Sequence, residues 1–273
     1  MVIAIVPCVR RTVPVLVLVG AAVAASTRDA AADRLVDARP VAKGGYLAPR
    51  FAPDGRALLL TGPNQRGLYL APVDGGAVRK LTDEPAAGVH ARFRADGAIE
   101  FRAARAGARR DLVIGPDGGI RSAGASAPAV ALAQDGRIYV RDASGRLAQV
   151  GSGDRFFAPA VSPAGDRVAF QGLATGIYIH LRSSGTLIHV GPGTAPAWSP
   201  DGSRLVYELT EDDGHEIVAS DLHVYNVAAR RDHRVTATDE RLERRPGFSP
   251  DGRAVAFDDD RGQIWIARLE AGP

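Results

Sequence analysis

The chain has 273 residues, 45% hydrophobic and 24% charged, the balance of a soluble globular protein long enough to bury a real core. Its 34 basic and 31 acidic residues leave a net charge of +3, and Arg10 and Arg11 lie in a segment read below as removed, so no electrostatic case for nucleic-acid binding survives. The single cysteine, Cys8, lies in that same segment, which leaves the rest of the chain without thiolate catalysis, disulfides or thiolate zinc sites.

Arg10-Arg11 precede an apolar run from Val13 to Ala25 that contains Pro14 and ends in small residues. These 13 residues fall short of the roughly 20 that a membrane-spanning helix needs. Ala22-Val23-Ala24 supplies the small-x-small pattern that signal peptidase reads. The expectation is a Sec-type signal peptide over 1–25, cleaved after Ala24 or Ala25, a periplasmic or secreted product, and no stable membrane insertion after cleavage. An uncleaved anchor is the competing reading, because Met1 to Val9 is itself apolar. Residues 26–34 are small and polar and read as a disordered lead-in, with the folded domain over 35–273.

From there on, short strands alternate with turns. Leu35-Val36-Asp37-Ala38-Arg39 is a first short strand. Tyr46 to Phe51, a turn at Pro53-Asp54-Gly55, Ala57 to Leu60, Gly67 to Pro72, a turn at Asp74-Gly75-Gly76 and Val78 to Thr82 form a four-stranded antiparallel meander. The second unit runs from Phe93 through the Asp96-Gly97 turn, Ile99 to Phe101 and Asp111 to Gly115 into Ile120-Arg121. The third, around Gln134-Asp135-Gly136, offers Arg137 to Val140 and Leu147 to Val150 and lacks one strand. The fourth carries Ser162-Pro163-Ala164-Gly165, Arg167 to Phe170, Ile177 to His180 and Leu187 to Val190. The fifth opens with Trp198-Ser199-Pro200-Asp201-Gly202, and its second hairpin is enlarged, passing through Glu211-Asp212-Asp213-Gly214-His215-Glu216. The sixth holds Phe248-Ser249-Pro250-Asp251-Gly252, Ala254 to Phe257 and Gln263 to Leu269, and ends after its third strand.

The turn glycines stand at 55, 97, 136, 165, 202 and 252, at intervals of 42, 39, 29, 37 and 50. Proline presets φ in these turns, aspartate can accept from the backbone two residues on, and glycine tolerates the positive φ. Six units of about 40 residues with no helical period predict an all-β, six-bladed β-propeller of four-stranded antiparallel blades. The third blade is expected to be abbreviated. The N-terminal strand at Leu35 to Arg39 is expected to supply the sixth blade's missing outer strand and close the ring. Phe51, Phe93, Trp198 and Phe248, each just before its turn, are expected to pack between blades.

Trp198 to Tyr207 and Phe248 to Phe257 resemble the repeat of TolB-type six-bladed propellers, and Gly67 to Thr82 is similar to that repeat's later half. The resemblance covers the chain from about residue 35 and is degraded in units two to four. It implies a periplasmic propeller that works by binding, as TolB does in the Tol-Pal envelope system, though without the α/β domain that precedes TolB's propeller. The same repeats accompany hydrolase domains in prolyl-oligopeptidase-like peptidases, and the Gly-x-Ser-x-Gly elbow of those domains is absent here.

Two functional readings follow. The first is a monomeric, non-enzymatic, protein-binding module or scaffold with an envelope or periplasmic protein partner and no cofactor or resident metal. The alternative is a propeller hydrolase or lyase using a central divalent cation. The candidate binding residues are Glu211, Asp212, Asp213, His215 and Glu216 of the enlarged hairpin. Together with Asp221 and His223 they read either as cation ligands or as a solvated hairpin tip. Asp258-Asp259-Asp260 reads as a solvated acidic turn, and Arg109-Arg110, Arg230-Arg231 and Arg244-Arg245 as solvated loop pairs. His180 and His189 stand at strand ends facing the channel or a neighbouring blade, as packing or surface residues.

Overall fold

The computed structural model describes residues 33–270 apart from 89, 90, 95, 106, 107, 125–128 and 143; the expected export signal, Cys8 and most of the expected lead-in lie outside the described residues. After β1 (Arg34–Lys43), the first blade consists of β2 (Leu47–Phe51), β3 (Ala57–Thr61), β4 (Arg66–Pro72) and β5 (Arg79–Pro85). The second is β6 (Arg92–Phe93), β7 (Ile99–Arg105), β8 (Ala108–Ile114) and β9 (Ile120–Ser122). The third has only β10 (Ala131–Gln134), β11 (Arg137–Arg141) and β12 (Leu147–Val150). The fourth is β13 (Phe156–Val161), β14 (Arg167–Gly172), β15 (Gly176–Leu181) and β16 (Leu187–Gly191). The fifth is β17 (Thr194–Trp198), β18 (Arg204–Asp212), β19 (Ile217–Asn226) and β20 (Arg231–Arg234), and the sixth is β21 (Arg244–Phe248), β22 (Ala254–Asp258) and β23 (Gln263–Glu270). Every blade is an antiparallel meander, and a single 3-10 turn at Pro63–Gln65 is the one helical element among the described residues.

The blades form a ring with their first strands innermost, β2 against β21, β21 against β17, β17 against β13 and β13 against β10. The second strand of a blade then has a neighbouring blade on each side. In the first blade Leu58 and Leu60 pack toward the sixth blade, and Leu59, between them, packs toward the second. This is why β3, β14, β18 and β22 read as unbroken apolar runs rather than alternating ones. Phe51, Phe93, Trp198 and Phe248 each lie against the preceding blade, as expected. Trp198 also donates its indole N–H to the Ala160 carbonyl at 2.9 Å.

The turns between first and second strands line one face. Ser199 Oγ donates to Asp201 Oδ1 at 2.5 Å and accepts from Arg204 N at 2.9 Å, while Ser203 N donates to Asp201 at 3.0 Å. Ser249, Asp251, Arg253 and Ala254 repeat the arrangement. The Ser199 hydroxyl, followed by the Ser203 donors, lowers the Asp201 carboxyl to about 2. Gly252 takes φ +71°, and a Cβ there would stand 3.3 Å from Pro200 of the preceding blade's turn; Gly202 beside Pro163 and Gly55 beside Pro250 repeat this, so the turns of the fourth, fifth, sixth and first blades follow one another closely.

Closure occurs where the pattern placed it. β1 pairs antiparallel with β23, from Arg34 opposite Glu270 to Lys43 opposite Gln263, and becomes the sixth blade's outer strand. It starts at Arg34, and Asp33 just before it binds Arg204 of the fifth blade at 2.9 Å. Val41 and Ala42 complete the core between the sixth and first blades. Deleting residues 33–44 strips this strand from β23, and we expect the thermal midpoint to fall by about 10 °C, on the order of 3 to 4 kcal/mol for a domain of this size; calorimetry on the truncated chain gives the answer, and an unchanged midpoint would refute closure.

Candidate functional site

A meander that starts on the inside puts two sets of loops on the face opposite the turns: those joining second to third strands, and those joining one blade to the next. The enlarged β18–β19 hairpin and the 235–243 and 259–262 loops share this face.

At its inner edge, three of the innermost strands, β2, β17 and β21, carry a bulge at their second residue. Ala48, Ala195 and Arg245 take φ of 51°, 53° and 49°, each immediately before a proline. This left-handed conformation is costly for a non-glycine residue. In each case the freed N–H is taken by a side chain from the end of the preceding blade's second strand. Ala48 N donates to Asp258 Oδ1 at 2.9 Å, Ala195 N to Gln171 Oε1 at 2.8 Å and Arg245 N to Glu208 Oε2 at 2.5 Å. The strain and its remedy belong to neighbouring blades, so the contact fixes how the blades sit against each other.

Around the sixth blade these contacts become an ionic cluster. The Arg245 guanidinium grips both oxygens of the fully buried Asp258, with Nε at 3.0 Å from Oδ1. Glu208 also accepts from Thr194 Oγ1 at 2.9 Å and has Arg244 Nε 3.7 Å away. Glu243, fully buried, accepts from Thr238 and lies 3.6 Å from Arg241 Nε, with Oε2 unpartnered. Arg241 stacks over Trp265 at 4.3 Å, and the Trp265 indole donates to Asp259 at 2.9 Å. Burial pushes the Asp258 carboxyl up to about 6 against the opposing pull of Arg245, and burial raises Glu243 as well.

This overturns the expectation of solvation at Asp258-Asp259 and Arg244-Arg245. Both aspartates are buried, and both arginines open β21, half-buried against carboxylates. Asp258, Glu208 and Gln171 occupy the same slot at the end of a second strand, and that repetition is the sequence signal that could have marked them.

Glu211, Asp212, Asp213, His215 and Glu216 stand together, all exposed, at the end of the β18–β19 arm. Asp212 accepts from Gly214 N at 3.0 Å, and Asp213 accepts from His215 N and Glu216 N at 2.9 Å each. The Glu216 and His215 amides hold Asp213 below the usual carboxylate range. These two aspartates fold the tip, which leaves Glu211 and Glu216 as its outward charges. Asp221 and His223 do not join them: Asp221 binds Arg234 and Thr236, and His223 meets Asp232 at 3.2 Å. His180 is buried and held below its ordinary value by desolvation, while His189 stacks on Tyr178 at 4.7 Å and contacts the Thr175 carbonyl through Nε2. Arg109 and Arg110 are exposed on β8, and Arg230 and Arg231 are exposed at the start of β20.

Because the folded value of Asp258 lies above the unfolded one, the folded state takes up its proton first. Its contribution is therefore gained as pH falls from about 6 toward 4 and is lost as pH rises through about 6. Relative to Asp258→Asn, the wild type should gain about 1 kcal/mol of stability between pH 7 and pH 5, read by urea unfolding at both values. Parallel pH dependence in the two proteins would show that Asp258 is ionised throughout.

No protein-family model matches the chain. It is 28% identical over 87 residues to dipeptidyl-peptidase 5 of Porphyromonas gingivalis, a match taking in 28% of this chain and only 13% of that peptidase. Among solved structures, a gluconolactonase from Xanthomonas campestris superposes with a TM-score of 0.58 at 12% identity, covering 87% of this chain and 91% of that one. An oligogalacturonate lyase from Vibrio parahaemolyticus gives a TM-score of 0.47 at 13% identity, covering 84% and 91%. At 12% identity the likeness to the gluconolactonase is one of fold.

Proposed function

We propose that the chain is a non-enzymatic, exported propeller that serves as a protein-binding module in the bacterial envelope, the role its resemblance to TolB-type propellers implies. The β18–β19 arm supports this reading. β18 runs two exposed residues, Glu211 and Asp212, beyond Thr210, whose cross-strand partner Ser220 is still buried against Glu243, and so projects roughly 7 Å past the ring at about 3.3 Å per residue. Its base is locked in the cores on both sides of the fifth blade. A preorganised arm spares the entropy that a loose loop would lose on binding. On the same face Phe157, Leu173 and Val218 are exposed by 36%, 66% and 56%. Outward carboxylates beside exposed apolar side chains suit a partner that presents basic and apolar groups.

The competing enzyme needs oxygen or imidazole ligands converging on the axis. Among the described residues no group of three or more His, Cys, Asp or Glu side chains is placed to hold an ion. Among the described residues the ionisable side chains on the six innermost strands are all arginines, and the carboxylates at the inner edge, Glu208 and Asp258, are taken up by arginines and bulge amides, which favours the binding reading.

Reversing Glu211 and Glu216 to lysine leaves the tip-forming Asp212 and Asp213 intact. The double variant should keep its thermal midpoint and bind the protein captured by wild type from the native envelope fraction at least about tenfold more weakly, by surface plasmon resonance. Undiminished affinity would remove the arm from the interface.

A further inference from the structure

The innermost strands carry four ionisable side chains, Arg50, Arg92, Arg244 and Arg245, and no carboxylate. Three of the four are neutralised from the second strand of a blade. Arg92 lies opposite Glu100 and binds it at 2.6 and 2.9 Å; Arg244 lies near Glu208, and Arg245 is clamped by Asp258. Arg50 is the exception. Its cross-strand neighbour on β3 is Leu59, and among the described residues Arg50 has no hydrogen-bond or ion-pair partner. The positions corresponding to it in the fourth, fifth and sixth blades are Ala160, Ala197 and Gly247. These small residues offer Arg50 neither a counter-charge nor a long side chain, and the corresponding residue of the second blade, Arg92, is already held by Glu100.

Arg50 projects from the innermost strand on the side of Leu59, which packs toward the second blade, and its side chain is open to solvent. Desolvation by the protein around it nevertheless holds the guanidinium below its ordinary value. Solvent contact inside a crowded, low-dielectric surround is what a channel wall provides. A cation in that setting without a counter-charge attracts an anion more strongly than the same group on an open surface.

We infer that the central channel binds an oxyanion, the phosphate or carboxylate group of a small ligand, with Arg50 as its principal contact. The planar guanidinium presents paired donors that match two oxygens of either group. Arg50 lies one residue before Phe51, near the turn face, whereas Arg244 and Arg245 open β21 at the opposite end. The site is therefore separate from the arm, and it stands or falls independently of the partner-binding reading.

Thermal unfolding of the mature chain in sodium phosphate and in sodium acetate, each at constant ionic strength with sodium chloride, supplies the test. At least one of the two anions should raise the midpoint by about 3 to 6 °C in a saturable way, and the effective anion identifies the group preferred. Arg50→Gln should abolish the rise, while the exposed control Arg109→Gln keeps it. If Arg50→Gln unfolds, crystals of wild type soaked in the effective anion must show it on the Arg50 guanidinium. No saturable rise with either anion, a rise retained in Arg50→Gln, or an anion seated elsewhere would overturn the inference.

Discussion

A strand that reads Leu58-Leu59-Leu60 must be covered on both faces, and a single four-stranded sheet cannot do that for itself. Each blade therefore needs a neighbour on each side, and the only arrangement that satisfies every blade is a closed ring. Closure by β1 follows from the same requirement. Without it β23 would present a bare edge, and Ile264 and Ile266 would lose the cover that Val41 and Ala42 provide. The two ends of the chain are thus held by the burial demand of the middle.

Burial alone sets blades beside one another without fixing their rotation. The polar contacts at the inner edge do that. A bulged residue at φ near 50° before proline is unfavourable by itself, and its N–H cannot join the ladder. Accepting that N–H with Asp258, Glu208 or Gln171 from the blade before it turns a local strain into an inter-blade constraint. Burying a carboxylate for this purpose is expensive, which is why Asp258 is clamped by Arg245 through both oxygens and titrates high. The cluster is specified by geometry more than by net stabilisation.

The fold was legible because its determinants are local. Proline, aspartate and glycine at fixed offsets announce each turn, and the 29- and 50-residue intervals mark the three-stranded blade and the long arm directly. The ionic cluster was not legible, because its members are contributed by different blades. Arg244-Arg245 and Asp258-Asp259 look like surface runs until the ring brings Glu208, Glu243 and Trp265 around them. The arm's residues were found as a group, yet their division of labour was hidden. Asp212 and Asp213 point back to the backbone, and the exposed side chains of Glu211, His215 and Glu216 remain to meet another molecule.

The second blade shows what happens when the burial rule is relaxed. β7 alternates Ile99, Phe101 and Ala103, which pack toward the first blade, with Glu100 and Arg102, which bind Arg92, Arg94 and Asp111. One face is a core and the other is ionic. Among the described residues, clusters of buried apolar side chains join five neighbouring pairs of blades, and none joins the second to the third. In a ring of six, that seam lies diametrically opposite the one between the fifth and sixth blades, where Glu208 holds the bulge at Arg245. Exposed ion pairs contribute little compared with a buried apolar cluster. Opening of the ring would therefore begin at the second and third blades, on the side away from the arm, while the seams flanking the arm's base stay closed by both core and latch.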